Sequence, residues 1–252
     1  MNTRYPVEIF FRRGKIDRAI RVYKLKKIIL PGWAVPAELY AAVSENPAMV
    51  YDFGFFSGES SGLPHGFDSE IEKLCSVPCI ITAHSLGSIL ALGLIHSLHN
   101  VKALVLYSAF AKFAKADDNL SGQPVEIIQG MKRQVRENPA GLLKSFYRNM
   151  FFPDKHECAV PQTLNIPALA AGLDILLDCD NRPGLNGIKI PVLLIHGGLD
   201  RIVNVKIAEE LAGNIKFSRL HVFKNAGHAV HFTDANESKI ITEKFLADYD
   251  IH

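Results

Sequence analysis

Short apolar runs recur along the chain, each closed by small or polar residues and followed by a stretch with helical spacing. Lys27–Leu30, Ala48–Asp52, Cys79–Thr82, Val101–Tyr107, Val192–His196 and Arg219–Phe223 read as strands. Between and after them, Pro36–Ser44, Gly66–Cys75, Ser85–Leu98, Lys206–Ala212 and Asn236–Asp250 read as helices. Ser85–Leu98 is apolar almost all round and should be buried. Strand and helix patterns that alternate in this way predict an α/β fold, with a mostly parallel, doubly wound sheet covered by helices on both faces.

The alternation stops after Ser108. From Ala109 to about Gly187 only helical signals appear, at Pro124–Glu137, Pro139–Met150 and Ile166–Leu177, punctuated by prolines 153, 161, 167 and 183. The expected organisation is therefore a core of residues 1–108 and 188–252, with residues 109–187 inserted as a helical cap over the sheet's C-terminal edge. Residues 1–27 carry nine Lys or Arg against Glu8 and Asp17. Val7–Phe11 and Arg18–Tyr23 read as a hairpin of edge strands around Gly14, whose charge resists aggregation; a docking surface for an acidic partner is the other reading.

The chemistry concentrates at the ends of the predicted strands. In Ile80–Ala91 an apolar run meets Ser85 and continues at once as a helix. Such a strand–turn–helix strains the serine's backbone and lifts its hydroxyl above the sheet, and it needs small residues two before and two after, here Ala83 and Gly87. A serine hydroxyl is a weak nucleophile without a base and a group to orient that base. Asp200 stands in the loop after Val192–His196, and His228 in the loop after Arg219–Phe223. The order Ser85, Asp200, His228 is that of a nucleophile-elbow hydrolase. Two backbone N–H groups for an oxyanion are expected from Leu86 and from Trp33, in the Pro31-Gly32-Trp33-Ala34 break after the first strand. Trp33 reads either as a core anchor or, as its place in this loop favours, as a wall of the acyl pocket. His84, His196 and His231 read as structural, as do Asp174, Asp178 and Asp180, the last as a partner of Arg182; no metal set and no cofactor is expected.

Bulk composition narrows the classes. With 28 basic against 26 acidic residues in 252, a nucleic-acid-binding role for the whole chain is not suggested. The four cysteines, at 75, 79, 158 and 179, fit neither a zinc pattern nor a disulfide framework and read as reduced thiols of a cytoplasmic protein. No secretory signal and no membrane-spanning stretch is visible, so no membrane partner is expected.

The whole chain resembles the α/β-hydrolase superfamily. Several segments are similar to pimeloyl-(acyl-carrier protein) methyl ester esterases of biotin biosynthesis. They are Leu30-Pro31-Gly32-Trp33-Ala34, His84-Ser85-Leu86-Gly87, Phe146-Tyr147-Arg148-Asn149-Met150, and Gly172–Leu176 leading to Asp180-Asn181-Arg182-Pro183-Gly184-Leu185. The departures are Ala83 for Gly, Pro31 for His, Ser88 for a third Gly, and a longer basic N-terminus. The resemblance implies hydrolysis of the methyl ester of a pimeloyl chain on acyl carrier protein. Trp33, Ser85, Leu86, His228 and Phe146, Tyr147, Arg148, Asn149 and Met150 would then contact the substrate. Lys132, Arg133, Arg136, Lys144 and Arg148 would dock the acidic carrier transiently, and the enzyme would act as a monomer. A carboxylesterase, thioesterase or carbon–carbon-bond hydrolase of the same fold, or a ligand receptor, remain alternatives.

Overall fold

The computed structural model describes residues 25–43, 48–57, 66–156 and 158–251. The hairpin expected around Gly14 and most of the Gly/Ser-rich loop before Pro64 lie outside the described residues.

Among the described residues six strands form one sheet in the order β2-β1-β3-β4-β5-β6, with every neighbouring pair parallel. They are β1 (Lys26–Leu30), β2 (Ala48–Val50), β3 (Cys79–His84), β4 (Val101–Tyr107), β5 (Val192–Gly197) and β6 (Ser218–Phe223). Both faces are buried. Ile28, Leu30, Ile81, Leu104 and Leu194 point into one apolar layer, and Ile80, Val105, Leu193 and Ile195 into the other. This is the period-two alternation of strands covered on both sides.

The chain lays β2 outside β1 and then returns to place β3 on β1's other side. The order reverses there, so the loops leaving β1 and β3 diverge and open a crevice above the sheet. Register keeps the strand ends level, since Leu30 pairs with Ala83 and Ala83 with Leu106. The loops carrying Trp33, Ser85, Asp200 and His228 thus leave from one edge.

The core helices are α1 (Ala37–Val43), α2 (Phe67–Leu74), α3 (Leu86–Leu94), α7 (Val205–Asn214), α8 (Val230–Thr233) and α9 (Ala235–Ala247). Two differ from the sequence expectation. Helix α3 ends four residues early, at Leu94, because the Ser97 hydroxyl and N–H both donate to the Leu94 carbonyl and turn the chain. The C-terminal helix ends at Ala247 rather than Asp250, and before it Asp234 separates off the unforeseen one-turn α8, directly after the His228 loop.

Between β4 and β5 lie α4 (Val125–Glu137), α5 (Pro139–Met150) and α6 (Ile166–Asp178), with α4 packed on both others. Asn138 closes α4 and starts α5: its side chain accepts the Gly141 N–H, and Pro139 supplies a first helical residue that needs no donor. Asn165 does the same for α6 through the Ala168 N–H. A 3-10 turn at Arg182–Gly187, unforeseen from sequence, leads into β5. Arg182 bonds Asp180, as expected, and also Asp118, while Lys112 pairs with both carboxylates. The Arg182 guanidinium holds the Asp180 carboxyl well below the usual carboxylate range.

Candidate active site

Ser85 sits at φ 51°, ψ −115°, a left-handed conformation that a serine adopts only when its surroundings force it. The forcing contacts are visible. The Ser85 N–H is tied to the Tyr107 carbonyl, and the Ser88 hydroxyl and N–H both reach back to the Ser85 carbonyl. Gly87 then passes so close to β1 that an added Cβ would stand 2.2 Å from the Leu30 carbonyl oxygen. Ala83, fully buried, shows that the earlier small position tolerates one methyl.

Asp200 and His228 meet. The His228 Nδ1–H donates to Asp200 Oδ2 at 2.8 Å, and both side chains are fully buried. The other carboxylate oxygen accepts the Ile202 and Val203 N–H groups at 2.7 and 2.9 Å. Burial pushes the Asp200 carboxyl up, but the His228 ring, His196 and the Val203 N–H together outweigh it and hold the group ionised. His196, expected to be structural, lies 3.4 Å from Asp200 Oδ2 while its Nε2–H donates to the Val203 carbonyl. One link is not made. His228 Nε2 is buried without a hydrogen-bond partner among the described residues, so no bond joins it to Ser85. Such bonds commonly tighten only when substrate arrives.

The backbone N–H groups of Trp33 and Leu86 have no acceptor among the described residues, as an oxyanion-binding pair requires. The Trp33 side chain is buried, with its Nε1–H donating to the Leu169 carbonyl at 2.8 Å and its ring edge-on to Phe146 at 5.0 Å. Both contacts run to the helices between β4 and β5.

A network that sequence reasoning missed joins these loops from behind. The Gly32 N–H donates to Tyr40 Oη (2.8 Å), the Tyr40 hydroxyl donates to His84 Nδ1 (2.7 Å), and His84 Nε2–H donates to the His228 carbonyl (3.2 Å). The Ser108 hydroxyl donates to the same carbonyl at 2.9 Å. His84 therefore points away from the crevice, as expected, yet ties the Trp33 loop to the His228 loop. Burial, with His231 and His228 nearby, drives its pKa well down, and the neutral ring can accept from Tyr40. The signal available in the sequence was the His immediately before Ser85.

Beside Ser85 opens a cavity of about 280 Å³. Trp33, Phe113, Ile127, Met131, Leu142, Phe146 and Leu176 give it an apolar wall, and Gln123, Ser145, Asn149 and Arg201 a polar one. The stretch Phe146–Met150 divides. Phe146 and Asn149 border the cavity. Tyr147 is buried behind it, donating to the Ala34 carbonyl, and Met150 is buried where its carbonyl accepts the Ala229 N–H. Arg148 is exposed on the outer surface. The helical phase explains this, because residues 146 and 149 share one face and 147 and 150 the next. Of the expected carrier-docking residues, Arg133, Arg136, Lys144 and Arg148 are exposed, whereas Lys132 is half-buried and ion-paired with Asp174.

A family model described as the alpha/beta hydrolase family matches residues 28–237, and the chain belongs to that family. Among curated relatives, a pimeloyl-(acyl-carrier protein) methyl ester esterase of Aromatoleum aromaticum is 28% identical over 180 residues, covering 65% of this chain and 72% of the relative. A putative non-heme chloroperoxidase of Synechocystis is 25% identical over 220 residues, covering 81% and 76%. Among solved structures, an esterase from Exiguobacterium antarcticum superposes with a TM-score of 0.75 at 19% identity, over 87% of this chain and 91% of that one, a likeness of fold.

Proposed function

We propose that the chain is a serine carboxylesterase that hydrolyses the methyl ester of pimeloyl-acyl carrier protein, releasing methanol in biotin biosynthesis. The observation that carries the hydrolytic part is the buried Asp200–His228 pair, supported by a strained Ser85 and by Trp33 and Leu86 N–H groups without an acceptor among the described residues. The substrate rests on the similarity to relatives of that name.

His228 Nε2 takes the Ser85 hydroxyl proton as the oxygen attacks the ester carbonyl. Asp200 fixes the imidazole tautomer and balances its charge. The Trp33 and Leu86 N–H groups hold the oxyanion. The His228 proton passes to the departing methoxide, and the acyl group stays on Ser85. Water, deprotonated by His228, then frees the acid. The three helices between β4 and β5 act as a lid, with Phe146 and Asn149 in the acyl channel. Arg133, Arg136, Lys144 and Arg148 meet the acidic carrier in the cytoplasm, where the enzyme acts as a monomer. A general carboxylesterase is the second reading, favoured by the modest volume and apolar wall of the cavity.

The test is biotin-free growth of a strain lacking its own esterase, together with methanol release from the purified carrier-linked ester. Wild type should rescue and Ser85→Ala should not. Rescue by Ser85→Ala would refute the nucleophile. Hydrolysis of simple esters without rescue would leave the second reading.

A further inference from the structure

The cavity beside Ser85 is asymmetric in charge. Among the described residues its lining holds one cation, Arg201, and no carboxylate. Arg201 follows Asp200 directly, but the two side chains face different partners. Asp200 is fully buried on His228 and on two backbone N–H groups, whereas Arg201 is exposed at the cavity. The guanidinium lies 3.2 Å from the centroid of the Phe152 ring, which fixes its position without neutralising it. No carboxylate among the described residues pairs with it. Asn149, Ser145 and Gln123 are the other polar residues of the lining besides Ser85, and the Gln123 amide donates to the Ile202 carbonyl at 2.7 Å. A cation pre-oriented on an aromatic ring, in a cavity that also presents amide and hydroxyl groups and, among the described residues, no counter-ion, suits the fork geometry that reads a carboxylate or phosphate.

We infer that Arg201 is an anion subsite of this cavity, so that the enzyme selects esters whose acyl portion carries a second, negatively charged group. This rests on the hydrolase reading above and narrows its substrate class. The anion could be a carboxylate at the far end of a dicarboxylic monoester or the phosphate of a carrier arm. Both would lie against the same guanidinium, at different chain lengths from the reacting ester.

The experiment compares monomethyl and dimethyl esters of straight-chain dicarboxylic acids, and methyl esters of acyl-pantetheine with and without its 4′-phosphate, on wild type, Arg201→Ala and Arg201→Lys. The expected result is a wild-type preference in kcat/KM for the charged member of one of these pairs. In Arg201→Ala that ratio should fall about tenfold, mainly through KM, and Arg201→Lys should recover part of it. The pair that responds identifies carboxylate or phosphate as the source. Equal ratios in wild type and Arg201→Ala for both pairs would overturn the inference. Should wild type cleave no ester, the hydrolase reading fails. The subsite is then judged by calorimetric binding of monomethyl pimelate to Ser85→Ala with and without Arg201→Ala, and equal affinity would overturn it.

Discussion

Replacing Tyr40 by Phe removes one oxygen and leaves the ring in place. That oxygen accepts the Gly32 N–H and donates to His84 Nδ1, and all three groups are buried. The substitution opens no cavity of consequence, so its effect comes from two polar atoms deprived of partners. A buried donor or acceptor left unpaired costs about 1–2 kcal/mol, giving about 2–4 kcal/mol in total. For a domain of this size that is roughly 4–16 °C in the unfolding midpoint. Burial raises the Tyr40 phenol far above its ordinary range, so the group stays a hydroxyl donor and the loss does not depend on pH. Gly32 immediately precedes Trp33, and His84 holds the His228 carbonyl, so the slackened network should also lower kcat on p-nitrophenyl acetate about tenfold with little change in KM. Urea unfolding and steady-state kinetics read the two effects separately. A stability within about 0.5 kcal/mol of wild type together with an unchanged kcat would refute the reasoning, because it would mean that neither bond matters.

Gly87→Ala should abolish activity or soluble expression, since its methyl would overlap the Leu30 carbonyl oxygen; circular dichroism and active-site titration distinguish the two, and a fully active variant would contradict the close approach. Acid should destabilise the fold. Burial lowers the pKa values of His84, His196 and His231, so below about pH 6.5 the unfolded chain takes up protons that the native one refuses. Stability is therefore lost as pH falls from about 7 to about 5.5, whereas the depressed Asp200 carboxyl acts only at more acidic pH. A urea midpoint flat across that window would refute this. Arg133→Ala with Arg136→Ala should raise KM on the carrier-linked ester several-fold, and the wild-type KM should climb with salt, while small esters respond to neither; salt-independent KM values would argue for docking elsewhere.

The strands were legible because a parallel sheet buried on both faces is written in runs of Ile, Val and Leu, and each run ended within a residue or two of the observed strand; Ala48–Asp52 shortens to the Ala48–Val50 that pairs with β1. Asp200 and His228 were legible for a related reason: strand ends are sequence landmarks, and a level register turns neighbouring ends into neighbouring loops. What stayed hidden lies across long sequence separations. Tyr40 and His84 are distant from His228 in the chain, and nothing local to any of them specifies the contact. Arg201 was overshadowed by the acid before it. Within Phe146–Met150 sequence similarity named a segment, but only the helix phase separates residues that border the cavity from those that hold it in place.

The helices between β4 and β5 are joined to the sheet's loops by a few identifiable seams. The Tyr147 hydroxyl meets the Ala34 carbonyl, the Trp33 indole meets the Leu169 carbonyl, and the Ala229 N–H meets the Met150 carbonyl. Each seam uses a main-chain carbonyl as acceptor, and two of these carbonyls belong to the helical segment itself. Those two bonds are thus set by backbone position, while the Leu169 and Met150 side chains, both fully buried, pack into the apolar core. For grafting, this means that the cavity wall at Ile127, Met131 and Leu142 can be rewritten freely, or a foreign helical segment transplanted, provided that its backbone presents carbonyls at these two places. A chimera that kept the side chains and shifted α5 by one residue would fail where one that kept the backbone path and Tyr147 and changed the cavity-facing side chains would work.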